Sequence, residues 1–146
     1  MTDWKADGDR AIDVLICDDD AAIRGMLRSV LELRPSLRAV GEASDGNEAV
    51  AEAARLQPDV ILLDLAMPHR TGLESLAELK HVAPRAKVIV FSGFSTASVA
   101  EEVIGLGAAL YLSKGAGPDA INDAIEQAAA GTLPTRLQAP QQRTNL

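Results

Sequence analysis

Short apolar runs alternate along the chain with longer stretches in which apolar residues recur every three or four positions. A continuous apolar run bounded by polar residues predicts a strand that is buried on both faces. The longer stretches have the period of amphipathic helices. The predicted strands cover residues 12–17, 37–43, 59–63, 87–91 and 108–112.

Helix-capping residues precede the predicted helices. Asp20 is placed to cap the first helix, over residues 21–33. The pairs Asp45 with Glu48 and Thr71 with Glu74 have the spacing of capping boxes, which open the second and third helices. A proline is predicted to end each of these three helices, at Pro35, Pro58 and Pro84.

The last two helices have weaker start signals. Ser95 or Thr96 is predicted to cap the fourth helix, whereas Gly117 and Pro118 supply the cap and first turn of the fifth, which Gly131 ends. Arg24 and Arg28 are predicted to lie away from the apolar face of the first helix. The predicted inward residues are Ile23, Met26, Leu27, Val30 and Leu33, then Leu73, Leu76, Leu79 and Val82, then Val99, Val103 and Leu106, and finally Ile121, Ala124, Ile125 and Ala128.

Five strand–helix units in strict alternation predict an α/β fold. Short crossover connections between parallel strands are right-handed and place helices on both faces of an open, doubly wound sheet. In such sheets, ligands bind beyond the carboxyl ends of the strands. The residues that follow the strands are therefore the candidates for function.

Carboxylates, a hydroxyl and an ammonium group follow the predicted strands. Asp18 and Asp19 come after the first strand, Asp64 after the third, Ser92 after the fourth and Lys114 after the fifth. Because the first and third strands are neighbours in the common doubly wound orders, the three carboxylates are expected to converge. Clustered carboxylates repel one another by roughly 4 kcal/mol at an effective dielectric constant of about 20, so the cluster needs a cation.

The ligand chemistry of this cluster favours Mg²⁺, which prefers hard oxygen ligands and keeps open, hydrated positions. Carboxylates with Mg²⁺, the Lys114 ammonium and the Ser92 hydroxyl would form a charge clamp for a phosphoryl group. Asp64 is the best candidate nucleophile, since an aspartate can form an aspartyl-phosphate and Asp19 is free to bind the metal.

Overall charge and composition narrow the function further. The chain has 146 residues, with 14 Lys and Arg against 21 Asp and Glu, so its net charge is −7. An acidic chain repels phosphate backbones and anionic lipids, which argues against nucleic-acid and membrane-surface binding. The chain has a single cysteine, Cys17, and a polar N-terminus, and no apolar run approaches the ~20 residues of a membrane span. These features indicate a cytoplasmic protein.

Four motifs, in order and each at a predicted strand end, resemble those of response-regulator receiver domains, the CheY-like family of two-component signalling. They are ICDDD at 16–20, LLDLAMP at 62–68 with Gly72, VFSG at 90–93 and YLSK at 111–114. The resemblance implies a flavodoxin-like (βα)5 fold with a five-stranded parallel sheet in the order 2-1-3-4-5.

The resemblance also implies a role for each site residue. Asp64 would accept the phosphoryl group from the phosphohistidine of a histidine kinase. Asp19 would bind Mg²⁺ directly and Asp18 through water, together with Asp64 and the backbone carbonyl of Ala66. The protein would be a phosphorylation switch and not a turnover enzyme, although it could catalyse its own phosphorylation and dephosphorylation.

The remaining implied residues contact the phosphoryl group or respond to it. Ser92, Gly93 and Lys114 would bind phosphate. Ser92 would also be the switch hydroxyl, in a position where threonine is commoner in the family. Tyr111 would be the switch aromatic and would rotate inward on phosphorylation, which would change a partner-binding surface.

The chain divides into an N-terminal arm (1–10), a receiver domain (11–131) and a tail or truncated linker (132–146) that is rich in Pro and Gln. Ser113 to Ala116 and the Gly131-Thr132 ending are similar to receivers attached to LuxR-type helix-turn-helix domains. Such an output domain needs roughly 60 residues, which is far longer than the tail 132–146. No nucleic-acid binding is therefore expected through this chain. A stand-alone receiver and the receiver part of a longer DNA-binding regulator both stay open, as does dimerisation on phosphorylation.

Two other classes of function stay open beside the switch. One is an interaction module that keeps the fold without phosphorylation, and the other is a small Mg²⁺-dependent phosphohydrolase. Individual residues also have plainer interpretations, with Asp18 or Asp19 as a helix cap, Ser92 as a strand-end cap and Tyr111 as a core residue. His69 and His81 are predicted to lie on the surface, and Cys17 in the core.

Overall fold

A computed structural model describes residues 10–69, 71–93 and 97–131 of the chain. The proposed caps Ser95 and Thr96, nearly all of the arm 1–10 and the tail 132–146 lie outside the described residues. The elements are, in chain order, β1 (Ile12–Cys17), α1 (Ala21–Glu32), β2 (Leu37–Ala43), α2 (Gly46–Leu56), β3 (Val60–Leu63), α3 (Gly72–Val82), β4 (Lys87–Ser92), α4 (Ala97–Gly105), β5 (Leu110–Ser113) and α5 (Pro118–Ala130).

The strands form one parallel sheet in the order β2-β1-β3-β4-β5. This confirms the predicted α/β fold and the strand order. The chain runs from β1 outward to β2 and then back past β1 to β3, so the direction of winding changes between β1 and β3. The crevice between the carboxyl ends of these two strands is where a doubly wound sheet binds ligands.

Alternate strand residues face opposite helix layers because side chains alternate along a strand. In β1, Leu15 belongs to the core layer that contains residues of α2, α3 and α4, whereas Val14 and Ile16 belong to the layer that contains residues of α1 and α5. Ile61 and Leu62 of β3 divide between the two layers in the same way. Since both faces of the sheet are buried, the strands are continuous apolar runs, as the sequence indicated.

The inward faces of two helices differ from the prediction. Leu31, which the prediction omitted, is buried in α1 with Leu27 and Val30, whereas Met26 is 39% exposed and Leu33 is 66% exposed. Leu33 follows the last residue of α1, and Leu106 follows α4 and is 46% exposed. Helical spacing no longer applies beyond the end of a helix, so neither residue reaches the core.

The caps are largely as predicted. Asp20 accepts a hydrogen bond from the Ala22 amide at 2.9 Å, and Thr71 with Glu74 forms a complete capping box. The Asp45 box is only half formed, because Glu48 accepts from the backbone amide and hydroxyl of Ser44 instead of the Asp45 amide. None of the helices in the described residues is long and apolar enough to cross a bilayer.

Candidate functional site

Backbone hydrogen bonds bring the carboxyl ends of the strands to one edge of the sheet. The Asp18 amide donates to the Ala43 carbonyl at 3.0 Å, which ties the end of β1 to β2. The Asp64 amide donates to the Cys17 carbonyl at 2.9 Å, which ties the end of β3 to β1. Asp18 and Asp64 are therefore fixed as neighbours by the sheet itself.

Three carboxylates form a compact cluster at this edge. Asp18, Asp19 and Asp64 each offer an oxygen, and these atoms all lie within 4.8 Å of one another. Asp18 is 1% exposed and Asp64 is 4% exposed, whereas Asp19 is open to solvent. An all-oxygen donor set with one exposed member fits a hard divalent cation that retains water, which is the coordination that Mg²⁺ prefers.

Lys114 supplies a positive charge to the buried part of the cluster. Its ammonium nitrogen lies 2.8 Å from Asp18 Oδ2 and 3.4 Å from Asp64 Oδ1. Burial lowers the pKa of Lys114, but the two carboxylates outweigh burial and the pKa is raised overall. Lys114 therefore stays protonated, and within the described part of the chain it is the one cation paired with this cluster of three acids.

Asp64 has an unfavourable electrostatic environment. Burial raises its pKa above the ordinary value, and repulsion from Asp18 raises it further. Lys114 and the Ala66 amide, which lies 3.3 Å from Asp64 Oδ1, oppose the shift without cancelling it. The ionised Asp64 carboxylate is therefore short of positive charge, and a second cation at the cluster would relieve this deficit.

The loop after β3 is held tightly against the Asp64 backbone. The Gly72 amide donates to the Leu65 carbonyl at 3.1 Å, and Met67 is buried. A methyl group placed on Gly72 would lie 2.0 Å from the Asp64 carbonyl oxygen, well inside van der Waals contact. Glycine at this position therefore allows the loop to close beside Asp64.

The remaining predicted residues lie along β4 and β5. Ser92 is 1% exposed, and its carbonyl accepts from the Lys114 amide at 2.8 Å, whereas Gly93 is exposed. Tyr111 is 7% exposed, burial raises its pKa, and the nearby Ser92 side chain opposes that shift. Tyr111 thus already lies inside the protein next to Ser92, so the expected inward rotation would not start from this conformation.

One residue that contacts the site, Arg24, was absent from the predicted site residues. Arg24 Nη1 donates to the Asp18 carbonyl at 2.6 Å, and its Nε donates to Glu42 at 2.8 Å. The sequence interpretation had assigned Arg24 to a polar face turned away from the core. The available signal was an arginine within the first two turns of the helix that follows an acidic strand end.

Comparisons with known proteins agree with this geometry. The family model described as "Response regulator receiver domain" matches residues 14–126. The chain is 35% identical over 120 residues to the nitrate/nitrite response regulator NarL of Escherichia coli, covering 82% of this chain and 56% of NarL. It is 32% identical over 114 residues to the chemotaxis protein CheY of Thermotoga maritima, covering 78% of this chain and 94% of CheY.

Among solved structures, the chain is similar to the signal receiver domain of the putative response regulator NarL from Mycobacterium tuberculosis. The TM-score is 0.80 at 29% identity, covering 84% of this chain and 98% of that domain. The chain spans little more than half the length of NarL-type relatives, and nearly the whole length of a single receiver domain.

Proposed function

Because this chain belongs to the response regulator receiver domain family, we propose that Asp64 accepts a phosphoryl group from a histidine kinase and that the modified protein changes a partner-binding surface. The observation that carries the proposal is the cluster of Asp18, Asp19 and Asp64, with Lys114 bridging its two buried members. The described elements run from Ile12 to Ala130, which supports 11–131 as the receiver domain.

The proposed reaction is a phosphoryl transfer between two protein side chains. An Asp64 carboxylate oxygen attacks the phosphorus of the phosphohistidine, a P–O bond forms, and the P–N bond breaks with its electron pair leaving on the imidazole. Asp18, Asp19, Asp64 and the Ala66 carbonyl would hold Mg²⁺, which would supply positive charge to offset the negative charge of the phosphoryl oxygens. Lys114 pairs with a phosphoryl oxygen, because it already lies beside Asp64.

The proposed response begins at Ser92 and Tyr111. The phosphoryl group brings a charge of about −1.5 to −2 and new acceptor oxygens to a site that is already acidic. In this proposal the Ser92 hydroxyl, at the buried end of β4, donates to one of these oxygens, and Gly93 also contacts the phosphoryl group. Since Tyr111 packs beside Ser92, a shift of the hydroxyl changes the packing of β5 and α4, and the population of surface conformations shifts with it.

The test is chemical phosphorylation in the presence of Mg²⁺. We expect acetyl phosphate to add one phosphoryl group, measured as the mass of the intact protein, and Asp64→Asn to add none. Asp59→Asn is the matched control, because Asp59 lies just before β3, at the opposite end of that strand. Phosphorylation of the Asp64→Asn protein would contradict the assignment.

The same preparation separates the competing functions. Continued release of product from a small phosphomonoester, beyond one equivalent of protein, would indicate the phosphohydrolase. The phosphorylation-independent interaction module would be indicated by a wild-type protein that neither accepts a phosphoryl group from acetyl phosphate nor binds beryllofluoride at saturating Mg²⁺.

A further inference from the structure

We infer that Arg24 is a positioning residue that fixes the peptide group between Asp18 and Asp19 and thereby sets the separation of the carboxylates for a divalent cation. This inference rests on the proposed function, because it assigns a purpose to a contact beside the proposed metal ligands. Arg24 Nη1 donates a hydrogen bond of 2.6 Å to the Asp18 carbonyl, which is the contact that supports this inference.

Backbone hydrogen bonds to the neighbouring strands end at Asp18. The Cys17 carbonyl accepts from the Asp64 amide of the neighbouring strand, and the Asp18 amide donates to Ala43 of the other neighbour. The Asp18 carbonyl comes next, where β1 has ended and α1 has not begun. A buried carbonyl needs a donor, and Arg24, from the first two turns of α1, supplies it in place of a strand.

Arg24 is itself held in place by the strand on the other side. Its Nε donates to Glu42 of β2 at 2.8 Å, and Glu42 immediately precedes Ala43, whose carbonyl binds the Asp18 amide. Hydrogen bonds from Arg28 and from Arg24 lower the pKa of Glu42, so this anchor remains ionised at neutral pH. The planar guanidinium thus bridges Glu42 and the Asp18 carbonyl, a geometry that an ammonium group does not reproduce.

The side chain of Asp18 is fixed by the same turn. Its Oδ1 accepts from the Asp20 amide at 2.9 Å while its Oδ2 pairs with Lys114. Asp19 lies between these held points, and its exposed side chain depends on the orientation of the 18–19 peptide. Arg24 therefore acts on the proposed metal ligands through the backbone and contacts neither Asp19 nor Asp64 in the described structure.

Charge and positioning predict opposite effects for the loss of Arg24. Removing a positive charge near an acidic site strengthens cation binding by simple electrostatics. Removing a group that holds the ligands in place weakens it. The sign of the change in Mg²⁺ affinity therefore separates the two explanations.

Arg28 provides a matched control. It lies one turn further along α1 and also forms an ion pair with Glu42. Among the described residues, the hydrogen bond to the Asp18 carbonyl comes from Arg24 and not from Arg28. Arg24→Gln and Arg28→Gln remove the same charge from the same helix and the same acid. Arg24→Lys keeps the charge and removes the planar bridge.

The experiment is a Mg²⁺ titration of the full chain, followed by the backbone amide signals of Asp18 to Asp20. We expect Arg24→Gln and Arg24→Lys to weaken Mg²⁺ binding by about tenfold, and Arg28→Gln to leave the affinity within about twofold of the wild type. In the metal-free proteins, the Asp19 amide signal should move in both Arg24 variants and stay in place in Arg28→Gln.

Unchanged or tighter Mg²⁺ binding by Arg24→Gln would overturn the inference. If Arg24→Gln does not fold, Arg24→Lys decides the question, and an affinity within about twofold of the wild type would refute the bridge. A wild-type protein that binds no Mg²⁺ would instead refute the proposed function, so the two failures are distinguishable.

Discussion

Asp64 lies where an ionised carboxyl group destabilises the fold. It is 4% exposed, and burial and Asp18 raise its pKa in spite of Lys114. A group whose pKa is raised in the folded state contributes most stability at low pH, where it is protonated, and loses that contribution as the pH rises through the folded pKa. The folded protein therefore gives up stability at neutral pH to hold this carboxylate in position.

We predict that Asp64→Asn stabilises the metal-free protein. At about pH 7 the free energy of unfolding should rise by on the order of 1 kcal/mol, or Tm by about 4 °C, because a repelling buried charge is removed. The gain should shrink as the pH falls toward the ordinary aspartate pKa of 3.8. Urea unfolding in EDTA at several pH values measures this difference.

The control for that prediction is Asp119→Asn, a solvent-exposed acid that lies 3.5 Å from Arg34. An exposed pair contributes little, so its stability should change by less than about 0.5 kcal/mol. A destabilised Asp64→Asn protein at neutral pH would contradict the sign derived for the Asp64 carboxylate.

Gly72 sets a second limit at the residue scale. We predict that Gly72→Ala destabilises the protein by about 1–3 kcal/mol, because the new methyl group would lie 2.0 Å from the Asp64 carbonyl and a backbone atom must move. Gly25→Ala is the matched control, with no atom within 4 Å of the new methyl group and a helical site that favours alanine by about 0.5–1 kcal/mol. In thermal unfolding, Tm should therefore fall in Gly72→Ala and rise in Gly25→Ala.

The residue scale also shows what sequence alone predicts. Asp18 and Asp64 were predicted to converge because adjacent parallel strands end at one edge, and this follows from topology. Arg24 was missed because its partner is a backbone carbonyl, which every residue has, so the position of the arginine after an acidic strand end was the one available signal. Tyr111 was assigned as the switch aromatic, but its inner position depends on packing around Ser92.

At the scale of elements, α1 and α5 are joined by polar contacts as well as by apolar packing. Asn122 of α5 is 1% exposed, and its Nδ2 donates to the Val30 carbonyl of α1 at 2.9 Å. Arg34, just beyond α1, pairs with Asp119, Asp123 and Glu126 along α5. A buried hydrogen bond and three more exposed ion pairs thus connect α5 with α1 and with the residue just beyond it.

We predict that the buried hydrogen bond of Asn122 contributes to the free energy of unfolding and that the exposed ion pairs of Arg34 contribute little. Asn122→Ala should lower the free energy of unfolding by about 1–2 kcal/mol, because it removes a buried hydrogen bond and leaves a small cavity. Asp123→Ala, at the next position on the same helix, should cost less than about 0.5 kcal/mol. Equal losses in chemical denaturation would show that exposed ion pairs hold α1 to α5.

Element boundaries follow from the sequence where a cap or proline marks them. The limits predicted for β2 are those observed, Leu37–Ala43, and Gly131 adopts a left-handed conformation after α5. The fifth strand was predicted two residues too early, because Ala108 and Ala109 extend an apolar run ahead of Leu110, where β5 begins. Asn122 was missed because a polar residue beside an apolar helix face gives no sign of burial.

At the scale of the whole molecule, charge and site are linked. A chain with a net charge of −7 gathers three of its acids within 4.8 Å, with Lys114 as the paired cation. Self-repulsion of this kind opposes the compact state. A divalent cation bound only by the folded protein should therefore stabilise the molecule as a whole.

We predict that Mg²⁺ raises the free energy of unfolding by about 1.4 kcal/mol at a concentration ten times its dissociation constant. Asp19→Asn should lose most of this increment, since it removes the exposed ligand. Samples matched in ionic strength with NaCl separate specific binding from general screening. The same increment with NaCl alone would contradict a specific site.

The thiol of Cys17 can report transient exposure of the centre of the sheet. Cys17 is the single cysteine of the chain, it ends β1 at 2% exposure, and burial raises its pKa, so the thiolate needed for alkylation is suppressed while the sheet is closed. Thiol labelling in the absence of denaturant then samples the rare conformations in which the centre of the sheet is exposed. No engineered probe is required to follow them beside the acidic cluster.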